Sequence, residues 1–247
     1  MPSVKIKDIC MYYEIHGHGD PLVIIQGMGV EISSVETVNQ RFGKKYRVVA
    51  FGSRGTGRTD KPDIPYTIDM MVNDTLGLMD HLEIQKAHII GISMGSMIAL
   101  TLAAKHPERV NGLILHVAFH RVTLPLKLMW SLMWKTSWGQ KKMIAMSDFL
   151  FKQHYPPTSA SFIHQGMAPL NFDGRSLLSK IKAPTLILNG TKDQVVPVSI
   201  SRELSTGISG AELRLIDGDH LFAAKNPDLF IEPALIFLND VDARMIQ

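Results

Sequence analysis

The ten residues 87–96, AHIIGISMGS, decide the fold class, because they contain the pattern G-x-S-x-G centred on Ser93. A short β-branched run precedes this pattern, and a segment rich in Ala and Leu, 96–105, follows it. Glycines two residues either side of a serine permit a sharp turn from a strand into a helix, with the hydroxyl exposed at the edge of the sheet. The sequence therefore predicts that Ser93 occupies a tight strand-to-helix turn.

Short apolar runs recur along the rest of the chain, and most of them end in glycine or polar turn residues. They lie at 4–9, 11–15, 21–26, 46–51, 87–90, 111–116, 184–188 and 211–216. Runs that are apolar on both faces indicate strands covered by helices on both sides. Helical patterns at 67–82, 96–105, 198–204 and 227–238 alternate with these runs. The alternation predicts an α/β fold with a mostly parallel central sheet and helices on both faces.

One segment, 119–182, interrupts the alternation. It contains no convincing strand pattern, and its helix-like stretches are separated by Tyr-Pro-Pro at 155–157 and Asn-Phe-Asp-Gly at 171–174. We expect 119–182 to form a small helical cap, or lid, over the carboxyl edge of the sheet. Residues 1–118 and 183–247 would then form a single core domain.

Composition and charge exclude several classes of protein. The chain has 247 residues, with 26 Lys and Arg against 23 Asp and Glu, a net charge of +3 that does not indicate nucleic-acid binding. The single cysteine, Cys10, excludes an intramolecular disulfide framework and metal sites built on several thiolates. No apolar run approaches the ~20 residues that span a bilayer, and the first 20 residues lack a secretory pattern. We therefore expect a cytoplasmic protein without nucleic-acid or membrane partners, either monomeric or homodimeric.

Two more polar residues follow apolar runs in a way that extends the prediction for Ser93. Asp193 comes shortly after the run 184–188, and His220 comes shortly after 211–216. The carboxyl ends of parallel strands meet at one edge of a sheet, and a serine hydroxyl becomes a good nucleophile only beside a base. The order serine, acid, histidine is the one expected for this architecture.

These residues, taken together, resemble the α/β-hydrolase superfamily over essentially the whole chain. The features that carry the resemblance are the turn motif at Ser93, Gly190-x-x-Asp193 followed by Val196-Pro197, Gly218-x-His220, and Arg54-Gly-Thr-Gly-Arg-Thr-Asp60. The last motif is common in the esterase, lactonase and C–C hydrolase branches. The motifs are specific for the superfamily and only weakly specific for substrate.

The resemblance implies a role for each matching residue. Ser93 is the expected nucleophile, His220 the general base and acid, and Asp193 the carboxylate that orients the imidazole. The backbone N–H groups of Met28 and Met94 are expected to form the oxyanion hole. Neither a cofactor nor a metal ion is implied.

Two positions depart from the pattern common among relatives. Gln26-Gly27 stands where many relatives have His-Gly, and Gly52-Ser53 stands where many have an aspartate. We expect Gln26 to support the oxyanion loop through hydrogen bonds to neighbouring backbone, and the loop after the strand 46–51 to be looser than usual.

All three tryptophans, Trp130, Trp134 and Trp138, lie in the predicted cap at spacings that place them on one helical stripe. We expect this stripe to pack onto the core. Alternatively, Trp130 and Trp134 would line a substrate pocket together with Gln26 and Leu221. Residues 119–153 contain six Lys or Arg against one acid, which would form a basic rim for anionic or polar-headed substrates. Contact with a lipid surface is a third alternative, disfavoured because a segment that is apolar nearly all round is usually buried.

The expected function is cofactor-free hydrolysis of a small or medium carboxylic ester or lactone through an acyl-enzyme at Ser93. Hydrolysis of a C–C bond in a vinylogous diketone, as in the meta-cleavage-product hydrolases, is the alternative within enzymes. A small-molecule-binding protein without turnover is the alternative outside them. Haloalkane dehalogenases and epoxide hydrolases of this fold attack with a carboxylate, so the serine at position 93 argues against both activities.

Overall fold

A computed structural model describes residues 2–151 and 154–245 and has an eight-stranded sheet at its centre. The spatial order of the strands is β1-β2-β4-β3-β5-β6-β7-β8. The strands are β1 Ser3–Ile6, β2 Ile9–His16, β3 Pro21–Ile25, β4 Arg47–Phe51, β5 Ala87–Ile92, β6 Val110–His116, β7 Thr185–Gly190 and β8 Glu212–Ile216. Strands β1 and β2 pair in antiparallel fashion, and β3 to β8 are parallel.

Helices connect the parallel strands, as the alternating pattern predicted. They are α1 Glu36–Gly43, α2 Ile68–His81, α3 Met94–Lys105, α4 Leu124–Lys135, α5 Ser137–Phe151, α6 Ser159–Met167, α7 Val198–Gly207, α8 Phe222–Lys225 and α9 Asp228–Met245. Helix α2 shows how local sequence sets a boundary, since the Thr67 side chain accepts the N–H of Met70 at 3.1 Å and caps the first turn. The predicted α/β class is confirmed.

The core lies on both faces of the sheet. In β3, Val23 and Ile25 face one apolar cluster, while Leu22 and Ile24 face the other, and all four are fully buried. Helices α2 and α3 cover the first face, and α1 and α9 cover the second. Burial on both faces is why these strands read as continuous apolar runs instead of alternating ones.

The parallel strands position the candidate site. Strand β3 leads into residues 26–30, β5 into Ser93, β7 into Asp193 and β8 into His220. Because all four strands run in the same direction, these connections lie at one edge of the sheet.

Three helices, α4 to α6, lie between β6 and β7 in the chain and share a small apolar cluster of Trp134, Phe162 and Leu170. The prediction that all three tryptophans share one helical stripe is wrong. Helix α4 ends at Lys135, Thr136 has extended backbone angles (φ −113°, ψ 140°), and Trp138 belongs to α5. Gly139 permits the tight connection between α4 and α5, because a Cβ at this position would lie 2.3 Å from the Met133 carbonyl oxygen.

Exposure differs among the three tryptophans. Trp134 is 2% exposed and Trp130 is half-buried, whereas Trp138 is 59% exposed. The expectation that this segment is buried on all sides is therefore also wrong. Within the described ranges, no helix is both long and apolar enough to cross a membrane.

Candidate active site

Ser93 occupies a strained turn between β5 and α3. Its backbone angles are φ 53° and ψ −117°, a conformation that side chains rarely adopt, and its N–H donates to the His116 carbonyl at 3.0 Å. A Cβ on Gly95 would lie 2.1 Å from the Ile25 carbonyl oxygen, and a Cβ on Gly91 would lie 2.6 Å from Ala99 Cβ. The two glycines of the motif therefore let α3 begin directly against the ends of β3 and β5.

His220 lies within hydrogen-bonding distance of this serine. Ser93 Oγ and His220 Nε2 are 3.1 Å apart. The loop after β8 that contains His220 is tied to the loop after β7, since the N–H of Lys192 donates to the Gly218 carbonyl at 2.9 Å. A Cβ on Gly190 would lie 2.3 Å from that same carbonyl oxygen, which explains the glycine in the motif that precedes Asp193.

Asp193 completes a chain of contacts from the serine. Its Oδ2 is 2.8 Å from His220 Nδ1, while its Oδ1 accepts the N–H groups of Val195 and Val196, both at 2.8 Å. The side chain is fully buried, so the carboxylate is held by backbone on one oxygen and faces the imidazole with the other. A carboxylate at Nδ1 favours the tautomer with the proton on Nδ1, which leaves Nε2 as an acceptor for the serine hydroxyl.

A second histidine, His116, lies behind this chain at the end of β6. It is 3% exposed and stacks on Phe230 with ring centres 4.5 Å apart. Burial and the neighbouring His220 lower the pKa of His116 to about 3. The ring is therefore neutral near pH 7 and places no fixed positive charge beside His220.

The two backbone groups predicted for the oxyanion hole belong to Met94, which follows Ser93 in the chain, and to Met28, in a turn that lies against Ser93. Met94 is the first residue of α3, so its N–H has no acceptor within the helix and lies at the positive end of the helix dipole. Met28 lies in a turn closed by the Val30 N–H and the Gly27 carbonyl at 3.3 Å. A Cβ on Gly27 would lie 3.4 Å from Ser93 Cβ, which places this turn against the serine.

Gln165, in α6, contacts the loops around Ser93 and was not predicted from the sequence. Its side chain is fully buried, and its Oε1 accepts the N–H of Gly29 at 2.9 Å. Its Nε2 donates to the Arg54 carbonyl at 2.7 Å and to Thr56 Oγ1 at 2.6 Å. One amide thus joins the cap to the Met28 turn and to the loop after β4. A lone glutamine in a helix leaves no pattern that could have identified it.

Gln26 does not provide the support that was expected of it. It is 4% exposed, and its Nε2 has no hydrogen-bond partner in the part of the chain that the structure describes. The Met28 turn is instead held by Gln165, whose side-chain oxygen accepts the N–H of Gly29.

The loop after β4 is held by an ion-pair network and by a side-chain hydrogen bond. Arg54 is 2% exposed and contacts two carboxylates, Asp74 at 2.6 Å and Asp8 at 3.1 Å. Thr59 Oγ1 donates to the Gly52 carbonyl at 2.7 Å. Buried contacts of Arg54 therefore hold this loop.

The residues predicted to line a pocket have different surroundings. Trp130 packs edge-on against Phe119 at 6.0 Å and belongs to the same apolar clusters as Met28. Trp134 packs against Phe162 and fills the space beside Gly166, where a Cβ would lie 2.1 Å from its ring. Leu221 is half-buried next to His220 in the chain. The lining of the pocket by these residues stays a prediction.

No group of three or more His, Cys, Asp or Glu side chains is placed to hold a metal ion among the described residues. The chemistry that this edge of the sheet offers is that of a serine, an imidazole and a carboxylate in contact.

Comparison with known proteins places this geometry in a family. A family model described as alpha/beta hydrolase fold matches residues 20–157. A relative from Azorhizobium caulinodans, provisionally named carbamate hydrolase RutD, is 27% identical over 98% of this chain and 100% of its own.

Solved structures agree with the family match. The enol-lactonase from Burkholderia xenovorans LB400 has a TM-score of 0.87 at 24% identity, over 96% of this chain and 100% of that chain. The meta-cleavage product hydrolase from Pseudomonas fluorescens IP01 has a TM-score of 0.83 at 25% identity, over 97% and 98% of the two chains. Since the family match covers more than half of the sequence and includes the Ser93 turn, the chain belongs to the α/β-hydrolase fold family.

Proposed function

We propose that this protein is a serine hydrolase that cleaves a small or medium carboxylic ester or lactone. The observation that carries the proposal is the continuous line of contacts from Ser93 Oγ to His220 Nε2 at 3.1 Å and from His220 Nδ1 to Asp193 Oδ2 at 2.8 Å. A serine hydroxyl in contact with an imidazole that a buried carboxylate orients is the arrangement that acyl transfer requires.

In the first half of the proposed reaction, His220 Nε2 takes the hydroxyl proton while Ser93 Oγ forms a bond to the carbonyl carbon. The carbonyl oxygen becomes an oxyanion that accepts hydrogen bonds from the Met28 and Met94 N–H groups. The carbon–oxygen bond to the leaving alkoxide then breaks, and the alkoxide takes the proton from His220. An acyl group remains on Ser93.

In the second half, His220 removes a proton from water as the water oxygen attacks the acyl carbon. Collapse of the second oxyanion returns the proton to Ser93 Oγ and releases the carboxylic acid. For a lactone, the alcohol and the acid are parts of one product, so ring opening is the net result. Neither half consumes a cofactor.

A small-molecule substrate is supported by the relatives and by the chain segment over the site. The relative named carbamate hydrolase matches nearly the whole chain, and its substrate class also has an acyl carbon that a nucleophile attacks. We propose that 119–182 acts as a cap on a core made of 1–118 and 183–247. Helices α4 to α6 lie in this segment, and Gln165 connects it to the Met28 turn.

Hydrolysis of a C–C bond is the second candidate, favoured by one observation. The solved structure that is 25% identical over 97% of this chain is named as a meta-cleavage product hydrolase. A chromogenic short-acyl ester and a coloured dienoate, assayed side by side, distinguish the two. Turnover of the ester supports the proposal, and rapid turnover of the dienoate alone overturns it in favour of the second candidate.

The proposal is tested by labelling with a fluorophosphonate, in which an activated serine oxygen displaces fluoride from phosphorus. Intact mass and peptide mapping should show one label on Ser93, and His220→Ala should abolish it. Ser131→Ala is the matched control, because Ser131 on α4 is half-buried like Ser93, and it should keep the label. A folded protein that stays unlabelled and hydrolyses no ester or lactone, yet shows a ligand-induced rise in Tm, would instead be a binding protein.

A further inference from the structure

The outer surface of helices α4 and α5, here called the cap hairpin, exposes an unusual amount of apolar side chain. Its exposed members are Leu124 (68%), Leu128 (65%), Met129 (51%), Leu132 (57%), Trp138 (59%) and Met146 (48%). These six are half of the twelve large apolar side chains that are exposed among the described residues. A concentration of this kind on two consecutive helices indicates an interaction surface, whereas single exposed apolar residues are ordinary.

The exposed side chains have a regular arrangement. Leu124, Leu128 and Leu132 follow one another at spacings of four, so they form one row along α4. Trp134, on the same helix, is buried against Phe162 in the small apolar cluster that also contains Leu170. Helix α4 therefore packs inward through its tryptophans. It also has a second apolar row, which stays exposed to solvent as far as the described residues show.

The charge of the cap hairpin is predominantly basic, with four lysines against one acid, Asp148. The sequence has no aspartate or glutamate between Glu108 and Asp148, while the hairpin carries Lys127, Lys135, Lys141 and Lys142. None of these four lysines forms an ion pair with any carboxylate whose side chain is described. Lys142 Nζ lies 4.7 Å from the ring centre of Trp138, so cationic and apolar groups are interleaved.

The basic charge decides which partner fits. In a symmetric dimer, the same patch would face itself, and the four lysines of each copy would meet with only one hairpin acid per copy, Asp148, to offset them. An anionic lipid surface is complementary to both the apolar and the basic side chains of the hairpin. The leucine row can be buried at the acyl chains, and the lysines can pair with the lipid phosphates. We propose that the cap hairpin is a docking surface for anionic lipid membranes.

The proposed contact is peripheral. The hairpin would lie in the plane of the interface with its leucine row inserted at the boundary between headgroups and acyl chains. Trp138 has the amphipathic ring that is enriched at this level of a membrane. The contact involves the outer face of the cap, so it is independent of the hydrolytic proposal for Ser93.

Co-sedimentation of the full chain with large vesicles tests the proposal. The vesicles are phosphatidylcholine alone and phosphatidylcholine mixed with phosphatidylglycerol. The test variants are Leu128→Gln/Leu132→Gln and Lys141→Gln/Lys142→Gln. The matched controls are Ile236→Gln, whose side chain is 53% exposed on α9, and Lys86→Gln/Lys180→Gln, both exposed outside the hairpin. Circular dichroism verifies that each variant is folded.

We expect the wild-type protein to bind the vesicles that contain phosphatidylglycerol, and added salt to release it. The double lysine variant should lower the partition coefficient about 25-fold, or about fivefold for each lysine. The controls should bind like the wild type. Since the lysine variant changes only exposed groups, it remains informative if the leucine variant fails to fold.

Three outcomes would overturn the proposal. The first is binding to neither kind of vesicle. The second is binding that the control variants weaken as much as the hairpin variants do. The third is a wild-type dimer in solution that the leucine variant dissociates, which would assign this face to a second copy of the chain.

Discussion

The Gln165 side-chain oxygen lies 2.9 Å from the backbone nitrogen of Gly29, although 136 residues separate the two in the chain. Gly29 follows Met28, whose N–H is one of the two donors in the proposed oxyanion hole. The turn that contains this donor is therefore held by a hydrogen bond from α6, and its geometry depends on the position of that helix.

Replacing Gln165 by leucine should lower kcat about 10- to 100-fold with little change in KM, since it displaces a donor that acts on the transition state. It should also lower the free energy of unfolding by about 1–3 kcal/mol, because the three buried hydrogen bonds of the Gln165 amide are lost. Thr56→Val is the matched variant, which removes a contact of the Gln165 amide nitrogen and leaves the Gly29 contact in place. It should reduce stability while kcat stays within about twofold of wild type. Equal kcat for both variants would show that Gln165 has a structural role only.

Asp193→Asn should lower kcat about 10⁴-fold while the fold is retained, because the amide holds the imidazole in the wrong tautomer. The variant keeps an oxygen for the Val195 and Val196 N–H groups, so thermal unfolding should change little. Asp217→Asn, at a carboxylate that is 78% exposed near the same edge, is the control and should have wild-type kcat. A loss below tenfold at Asp193 would contradict the assigned role.

Ser93→Gly and Ser93→Ala should both be inactive, and the glycine variant should be the more stable of the two by about 1 kcal/mol. The reason is the backbone at position 93, whose φ of 53° with ψ of −117° is unfavourable for any residue with a Cβ. Urea unfolding of the two variants measures the difference. Identical midpoints would mean that the turn stores no strain.

Stability should fall as the pH is lowered from 7 to 5, and His116 should account for part of the fall. The pKa of His116 is lowered to about 3 in the folded protein by burial and by His220, whereas an unfolded histidine titrates near 6.5. Below pH 6.5 the unfolded state binds the extra proton, so this residue costs about 2 kcal/mol of stability between pH 7 and pH 5. His116→Leu should reduce the pH dependence by that amount. His154→Leu, at a side chain that is 81% exposed, is the control and should not change it.

Much of the candidate site could be predicted from the sequence because its parts lie at strand ends. Asp193 and His220 each follow an apolar run, and parallel strands bring their carboxyl ends together. Gln165 could not be predicted, since a contact between one side-chain amide and distant backbone leaves no periodic trace. The break at Thr136 was also missed, because the apolar pattern continues across it; its local signals are Thr136, whose Oγ1 accepts the Gly139 N–H at 3.2 Å, and Gly139 itself. The exposed row on α4 was missed because hydrophobicity alone does not tell which neighbours a helix has.

The position of the cap in the chain has a consequence for how such a protein can change. Strands β6 and β7 are neighbours in the sheet, with Leu113 beside Thr185. The chain segment that connects them contains the three helices α4, α5 and α6. The sheet register is set by the two strands and not by what connects them. The segment between β6 and β7 could therefore be replaced by one of different length and sequence without moving the strand ends. If this segment acts as the proposed cap, such a replacement would change which molecules reach Ser93. The exchange would need to keep one feature, an amide that reaches back to the Gly29 turn.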